Sequence, residues 1–353
     1  MAQATEEQGS DREFRSADDN NTFAMREIER RRKAPVYVSG DEVRARLAAT
    51  EPSGMCFLID PKLGFSVRSI RMWMNFWGFG EGQTGWKELG HRHLIDAVIH
   101  IIRGHGYSII DGIRYDWEPG DFLCVPTFAW HRHIQVGDEP MVYIAGTTTP
   151  FSMALGVSVH EDERFPEYWV FAQKSEEARK TLIPGGAEIP ESASHPMFGQ
   201  FPGREAQLYE QQVAFAPDEQ TRRRRARILI KSSEVEFGKT RMGSVATIVD
   251  PRIGFNTHVM STLVAEIPSG HRSGAHRHMY EEVNHILAGE GYSIVEDRRY
   301  DWKAGDSLSI PVFSWHQHFS TGSETARFLV HTTRPAMDNL GVQVTQHGED
   351  ADY

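Results

Sequence analysis

The sequence predicts an all-β protein made of two copies of a jelly-roll β-barrel that are joined by a partly helical linker. Three observations support this fold class: an internal repeat, a series of short strand-like runs between turns, and the lack of a helical pattern between those runs. The repeat decides how the remaining motifs are grouped.

A constant spacing between matching segments establishes the repeat. The stretch GYSIIDGIRYDW that begins at Gly106 recurs as GYSIVEDRRYDW from Gly291, and the matching residues that follow are also 185 positions apart. Upstream, DPKLGF at Asp60 matches DPRIGF at Asp250 with an offset of 190. The first copy therefore carries about five extra residues, which we place in the glycine-rich segment at 78–85.

Each copy shows the pattern of antiparallel strands. The β-branched runs VIHIIRG and VNHILAG both end at glycine, and Asp111-Gly112 lies between two alternating runs, which is typical of a two-residue hairpin turn. The segments GDFLCVP and GDSLSIP each indicate a turn, a short strand and a proline that ends the strand. Short strands at this spacing predict an antiparallel barrel or jelly roll, and they argue against a βαβ sheet.

The repeat and the unmatched segments predict the domain organisation. We expect an N-terminal arm at residues 1–34, a first barrel at 35–160, a partly helical linker at 161–228, a second barrel at 229–346 and a tail at 347–353.

Composition narrows the classes of function. The 353 residues carry a net charge of −11, which gives no reason to expect nucleic acid or an anionic membrane as a partner. The sequence contains no apolar run of the ~18 residues that span a bilayer, and its first residues do not resemble a secretory signal. Cys56 and Cys124 form no CxxC pattern, which fits a reducing, cytoplasmic location and argues against a thiolate metal site.

The second copy contains a set of metal-binding residue types. His276, His278 and Glu282 share parity, so on a strand their side chains point to one face. His316 follows the strand that Pro311 ends, where a returning strand can bring it alongside. Three imidazoles and one carboxylate suit divalent iron or manganese and leave coordination positions open for substrate or O₂.

The first copy retains the histidines without the carboxylate. His91, His93 and His131 match the three histidines of the second copy, whereas Ala97 stands at the carboxylate position. Asp96 is one residue away, and strand parity directs its side chain away from the site. Two HRH tripeptides followed at equal distance by WHxH predict metal binding in at least one copy, and whether one or both copies hold metal stays open.

Two further histidines, His133 and His318, lie two residues beyond the last histidine of each set. We expect them to contact the substrate or to act as catalytic acid or base, since an imidazole titrates near working pH.

Together these motifs resemble those of the bicupin ring-cleaving dioxygenases. The HxH, GDxxxxP and WH motifs are similar to the two cupin motifs over about 50 residues in each half. HRHLIDAVIHIIRGHGY with DFLCVPTFAWHRH is more specifically similar to gentisate, salicylate and 1-hydroxy-2-naphthoate 1,2-dioxygenases. This resemblance implies two cupin domains, ferrous iron on His91, His93 and His131, and His133 as a substrate contact.

The sequence departs from that family at one position. Six residues beyond the second histidine, where gentisate and salicylate enzymes carry a carboxylate-binding arginine, it has Ile99 and Asn284. The clamp is therefore absent or supplied by another arginine, for which the candidates are Arg68, Arg71, Arg103 and Arg272. The retained Glu282 is more similar to the large subunits of hydroquinone dioxygenases, which act on diols without a carboxylate. Both possibilities stay open.

The predicted function is ring cleavage of a hydroxylated aromatic of the gentisate, salicylate or hydroquinone type, with insertion of both atoms of O₂. The expected cofactor is Fe(II), with Mn(II) as the alternative. We expect a small aromatic substrate and O₂ as partners, and by analogy a homo-oligomer, with a hetero-oligomer as the alternative. The rival hypotheses are a manganese-dependent bicupin similar to oxalate decarboxylase, against which Ala97 counts, and a non-catalytic metal-binding cupin.

Overall fold

The computed structural model describes residues 17–49, 53–77, 89–166 and 204–353, and these ranges form two antiparallel β-sandwich domains. This confirms the all-β prediction. The glycine-rich segment at 78–85, in which we placed the extra residues of the first copy, lies outside the described residues, as does most of the linker.

The strands of the two halves repeat in the same order. The first half contains β1 (Tyr37–Val38), β2 (Ser53–Ile59), β3 (Arg71–Trp77), β4 (His91–His93), β5 (Ala97–Arg103), β6 (His105–Ile110), β7 (Ile113–Trp117), β8 (Phe122–Val125), β9 (His131–Val136), β10 (Met141–Thr147) and β11 (His160–Asp162). The second half contains β12 (Leu229–Ile230), β13 (Gly238–Thr240), β14 (Gly243–Val249), β15 (Ser261–Ile267), β16 (His276–His278), β17 (Glu282–Ala288), β18 (Glu290–Val295), β19 (Arg298–Lys303), β20 (Ser307–Ile310), β21 (His316–Ser320), β22 (Ala326–Thr332) and β23 (Thr345–His347).

Each domain pairs one large sheet with one five-stranded sheet. In the first domain the strand orders are β12-β8-β5-β10-β3-β2 and β11-β4-β9-β6-β7. In the second they are β1-β20-β17-β22-β15-β14-β13 and β19-β18-β21-β16-β23. The short strands β1 and β12 are exchanged: β1 pairs with β20 of the second domain, and β12 pairs with β8 of the first. The proposed barrels that start at 35 and 229 therefore each lend their first strand to the other domain.

The helices lie at the edges of the sandwiches. They are α1 (Ala17–Lys33), α2 (Gly40–Ala48), α3 (Thr149–Ala154), α4 (Arg204–Arg225) and α5 (Arg334–Asn339). Helix α1 belongs to the predicted arm and contacts both domains, since Arg30 donates to the Ser66 carbonyl (2.9 Å) and Arg31 to the Val312 carbonyl (3.0 Å). Helix α4 supplies the helical part of the predicted linker.

Three apolar clusters hold the domains together. One fills the first sandwich around Ile99 and Ile101, and one fills the second around Ile286 and Phe328. The third lies between the domains and combines residues of both, so the two large sheets pack back to back. Because side chains alternate along a strand, β5 and β17 each send one set of residues into a sandwich and the other set into the interface.

Two buried carboxylates join the domains in a symmetric way. Asp96, immediately before β5, accepts hydrogen bonds from the backbone N–H groups of residues 258–260 through a single oxygen (2.6–2.9 Å). Its repeat counterpart Glu281 accepts from the N–H groups of residues 68–70 at 2.5, 2.9 and 3.2 Å. Each domain thus supplies hydrogen-bond acceptors for the backbone N–H groups of a loop in the other domain. The Asp96 side chain points away from the histidines, as strand parity indicated.

Candidate metal centres and cavity

In the second domain, the four predicted ligands meet at one point. His276 and His278 lie on β16, Glu282 begins β17 and His316 begins β21, where His316 pairs directly with His276. Their ligand atoms lie within 4.8 Å of one another and all four side chains are buried. The Nε2 atoms of His276 and His316 are 3.0 Å apart, and Nε2 of His278 is 3.1 Å from Oε2 of Glu282. We call this set the second-domain cluster.

Backbone carbonyls fix the tautomers of these rings. The Nδ1 atoms of His276, His278 and His316 face the carbonyls of Gly274, Tyr280 and Ser314 at 3.0, 3.0 and 2.9 Å. A carbonyl only accepts, so each Nδ1 carries the proton and each Nε2 directs a lone pair into the cluster.

The converging lone pairs of the second-domain cluster are arranged to bind a cation. Burial lowers the pKa of His276 and of His316 to about 3, so neither ring is protonated at neutral pH. Two Nε2 lone pairs 3.0 Å apart then repel each other unless a positive ion lies between them. Three imidazoles and one carboxylate fit a divalent transition metal.

The first domain repeats this geometry with one ligand fewer. His91 and His93 on β4 and His131 at the start of β9 form the first-domain cluster, with ligand atoms within 4.8 Å of one another. The His91 and His131 ring centroids are 4.2 Å apart, against 4.1 Å for the corresponding pair in the second domain. Ala97 begins β5 at the carboxylate position, so this cluster offers three neutral donors. The structure thus brings together all seven predicted ligands in two groups.

His318 belongs to a hydrogen-bonded chain that fixes its tautomer. Trp302 Nε1 donates to Ser293 Oγ (2.8 Å), and Nδ1 of His318 lies 2.6 Å from the same oxygen. Ser293 is fully buried, so its hydroxyl proton lacks a partner unless it is donated to Nδ1. Nε2 of His318 therefore carries the proton, and the ring lines the cavity described below. Burial lowers the pKa of His318 to about 4, which favours the uncharged ring at neutral pH, and its role as substrate contact or as catalytic acid or base stays a prediction.

His133 repeats this arrangement in the first domain. Trp117 Nε1 donates to Ser108 Oγ (3.0 Å), which contacts His133 Nδ1 at 2.7 Å. Burial lowers the pKa of His133 to about 3.

A cavity of about 110 Å³ lies beside the second-domain cluster. His276 and Glu282 line it on the side of the cluster, and Tyr280 lines it while stacking on the His278 ring with centroids 3.7 Å apart. The apolar part of the wall includes Leu263, Ala265, Phe328 and Val330. Most of the exposed wall surface is apolar, and polar side chains from several strands converge on it, which is the usual form of a small-molecule site.

The charged residues of the cavity wall are largely paired. Arg252 donates to Asp250 (2.6 Å), and Arg334 lies 3.4 Å from Asp338. These two arginines line the cavity and were not among our candidates for a carboxylate clamp. The four candidates Arg68, Arg71, Arg103 and Arg272 are absent from its lining.

Larger side chains hold the corresponding positions of the first domain. By strand register and the repeat offset, the replacements are Arg71 for Ser261, Trp73 for Leu263, Asn75 for Ala265 and Tyr143 for Phe328. Trp73 and Tyr143 pack edge to face with centroids 5.5 Å apart, and Asn75 donates to the Tyr143 hydroxyl (2.9 Å). At these wall positions the first domain therefore carries larger side chains than the second.

Our sequence reasoning missed two histidines near the clusters. His160 on β11 stacks on His91 with centroids 5.2 Å apart, and His347 on β23 stacks on His276 at 6.2 Å. The strands β11 and β23 pair with β4 and β16 in matching registers, in which His160 lies opposite His93 and His347 lies opposite His276, so the two histidines are not counterparts in the repeat. The repeat gave no signal for them, because Thr345 stands at the counterpart of His160 and Asp162 at the counterpart of His347.

Comparisons with known proteins agree with the fold. The cupin-domain profile matches residues 76–146 and 263–332. A salicylate 1,2-dioxygenase from Pseudaminobacter salicylatoxidans superimposes with a TM-score of 0.59 at 15% identity, covering 89% of this chain and 88% of that chain. The prediction of two cupin domains is confirmed. Among the helices that the structure describes, none has the length and apolarity needed to cross a membrane.

Sequence relatives come from the group named by the resemblance. A 1-hydroxy-2-naphthoate 1,2-dioxygenase of Nocardioides sp. strain KP7 is 24% identical over 270 residues, which are 74% of this chain and 62% of that protein. A gentisate 1,2-dioxygenase of Aquipseudomonas alcaligenes is 23% identical over 255 residues, 71% of this chain and 67% of that protein. The matched region thus spans about two thirds of these relatives, and the resemblance to bicupin ring-cleaving dioxygenases is confirmed.

Proposed function

We propose that this chain, a two-cupin protein similar to ring-cleaving 1,2-dioxygenases over most of its length, cleaves a hydroxylated aromatic compound with O₂ in its second cupin domain. The observation that carries the proposal is the cavity beside the second-domain cluster, whose counterpart positions in the first domain hold larger side chains. The relatives supply the reaction class, since they are named as 1,2-dioxygenases of aromatic compounds.

The cofactor that we propose for the second-domain cluster is ferrous iron, with manganese as the second candidate. Three imidazoles and one carboxylate suit both ions, and the carboxylate of Glu282 offsets half of a double positive charge. Bound there, the ion would supply the redox chemistry that lets an aromatic ring react with O₂. The resemblance favours iron.

The protein's own groups orient the substrate and limit access of water. The apolar wall around Leu263 and Phe328 accepts an aromatic ring and is a poor site for a small dianion such as oxalate. His318, fixed by Ser293, presents an Nε2–H donor to an oxygen atom of the substrate or to oxygen that develops negative charge. Tyr280 stacks on His278 and thereby limits movement of that ring.

The test exchanges the wall residues of the two domains. Leu263→Trp introduces into the second domain the side chain that the first domain carries at the matching position. The matched control, Trp73→Leu, makes the reverse exchange in the first domain. Oxygen uptake is measured on iron-loaded protein with gentisate, salicylate and hydroquinone, and CO₂ release is measured with oxalate.

We expect Leu263→Trp to abolish oxygen uptake while the metal content is retained, and Trp73→Leu to leave uptake unchanged. Uptake that survives Leu263→Trp would contradict the assignment to the second domain. CO₂ release from oxalate without net oxygen use would replace the dioxygenase proposal altogether.

A further inference from the structure

Arg277 lies between two ligands of the second-domain cluster and points to the opposite face of β16. His276 and His278 are buried, whereas Arg277 is half-buried, as the alternation of side chains along a strand requires. The guanidinium carbon of Arg277 lies 4.1 Å from the ring centroid of Phe313 and 4.9 Å from that of Trp315. A cation at these distances from a ring is attracted to it, so Arg277 joins β16 to the segment that carries both rings.

The two rings belong to the loop between β20 and β21, which leads directly to His316. Ser314 lies between Phe313 and Trp315, and its carbonyl accepts from Nδ1 of His316 at 2.9 Å. The N–H of Phe313 donates to the carbonyl of His278 at 2.8 Å. This loop therefore orients one imidazole of the cluster and is hydrogen-bonded to the strand that carries two others.

Phe313 has a backbone conformation that most residues avoid. Its φ is 63°, in the left-handed region, which is unfavourable for a residue with a Cβ atom. Such a conformation persists only where surrounding contacts hold it. The contacts here are the hydrogen bond to His278 and the packing of the Arg277 guanidinium against the ring. Without the guanidinium, we expect Phe313 to relax towards ordinary backbone angles and to displace the Ser314 carbonyl.

The first domain contains the same arrangement. The guanidinium carbon of Arg92 lies 4.0 and 4.7 Å from the ring centroids of Phe128 and Trp130. Phe128 has a φ of 64°, and the carbonyl of Ala129, between the two rings, faces Nδ1 of His131 at 2.8 Å. Each arginine thus contacts the loop that orients a histidine of its own domain, and Arg92 provides a matched control for Arg277.

We infer that Arg277 is a positioning residue of the second-domain metal centre, because it holds the loop in which the Ser314 carbonyl orients the His316 ring. The inference rests on the part of the proposed function in which the cluster binds a metal ion, and it does not depend on the reaction. An effect of charge alone would have the opposite sign, since a guanidinium repels a divalent ion. Loss of Arg277 therefore weakens metal binding if the residue positions a ligand, and strengthens it if only its charge matters.

The test measures binding of Co(II), which has the same charge as Fe(II) and an absorption spectrum that depends on its coordination geometry. His91→Ala serves as the parent protein, because it lacks a ligand of the first-domain cluster. The metal-free parent and its Arg277→Ala and Trp315→Leu variants are titrated with Co(II) in competition with a chelator. Trp315→Leu removes one of the two rings and keeps the charge. Arg92→Ala in the same parent is the control.

We expect Arg277→Ala and Trp315→Leu each to raise the dissociation constant of Co(II) about 10-fold. Both should also change the absorption spectrum of the bound ion, because the His316 ring is displaced. Arg92→Ala removes the same kind of contact in the other domain. It should bind Co(II) within about 2-fold of the parent and with the same spectrum.

Co(II) binding by Arg277→Ala that is as tight as in the parent, or tighter, would overturn the inference. An equal loss of affinity in Arg92→Ala would overturn it as well, since it would indicate general destabilisation. If Arg277→Ala does not fold, Trp315→Leu decides the question by the same two measurements. The two proposals fail separately. A parent that binds no Co(II) refutes the metal centre itself, whereas equal binding by the parent and both variants refutes only the positioning role.

Discussion

The two carboxylates that join the domains should respond differently to removal of their charge. Glu281 uses both oxygens, with Oε1 accepting from the Arg68 N–H and Oε2 accepting from the Ser69 and Ile70 N–H groups. In Glu281→Gln one oxygen becomes an NH₂ group, and the best orientation keeps the two donors on Oε2. The N–H of Arg68 then faces another donor and loses its partner.

The structure gives the size of this effect. Burial raises the pKa of Glu281 despite the three N–H donors, so loss of the charge itself costs little. The unpaired N–H of Arg68 costs about 1–3 kcal/mol. We therefore expect Glu281→Gln to lower the free energy of unfolding by about that amount and to speed hydrogen exchange at the Arg68 amide.

Asp96→Asn is the matched control. Oδ2 of Asp96 accepts all three N–H groups, while Oδ1 accepts only the Thr127 hydroxyl at 3.3 Å. An asparagine can keep its oxygen at the Oδ2 position and donate its NH₂ to the Thr127 oxygen. We expect this change to cost less than about 1 kcal/mol, because each N–H retains an acceptor.

The assay is urea unfolding followed by tryptophan fluorescence, combined with hydrogen exchange at single amides. Equal destabilisation by the two substitutions would refute this reasoning. So would Glu281→Gln with wild-type stability and an unchanged exchange rate at Arg68.

Two further predictions concern buried histidines. Burial lowers the pKa of His285 and of His331 to about 3, so the unfolded chain binds more protons below pH 6.5 and stability falls from there towards pH 4, by about 1.4 kcal/mol per pH unit for each ring. Urea midpoints measured from pH 7.5 to 5 should show this loss of stability. In His331→Asn, the dependence of the unfolding free energy on pH should be weaker by about one proton. Midpoints that stay constant with pH would contradict the prediction. Ser293→Ala frees Nδ1 of His318, so kcat/KM should fall about 10-fold to 100-fold with metal content retained. Ser108→Ala, its first-domain counterpart, should leave kcat/KM unchanged, and equal losses in both variants would contradict the assignment.

Much of the fold and both ligand sets could be predicted from the sequence because they depend on local patterns. The 185-residue offset identifies the two domains, and the alternation of side chains along a strand places His276, His278 and Glu282 on one face. The same parity correctly directs Asp96 out of the barrel.

The remaining features depend on contacts between distant segments. The sequence around Asp96 and Glu281 does not show that each carboxylate binds a loop of the other domain. It also does not show that β1 and β12 pair with strands of the opposite domain. Which domain has room for a substrate could be judged only by comparing the sizes of side chains at matching wall positions, such as Leu263 and Trp73. The sequence also did not reveal how deeply the His318 ring is buried, which lowers its pKa to about 4 and favours the uncharged ring at neutral pH.

The account depends most on the second-domain cluster holding a metal that is needed for the reaction. The direct test measures metal content and oxygen uptake with hydroxylated aromatics on the same samples of wild type, His276→Ala and His91→Ala. We predict that His276→Ala loses one equivalent of metal together with oxygen uptake, whereas uptake persists in His91→Ala. Retained metal and uptake in His276→Ala, or loss of uptake only in His91→Ala, would contradict the account.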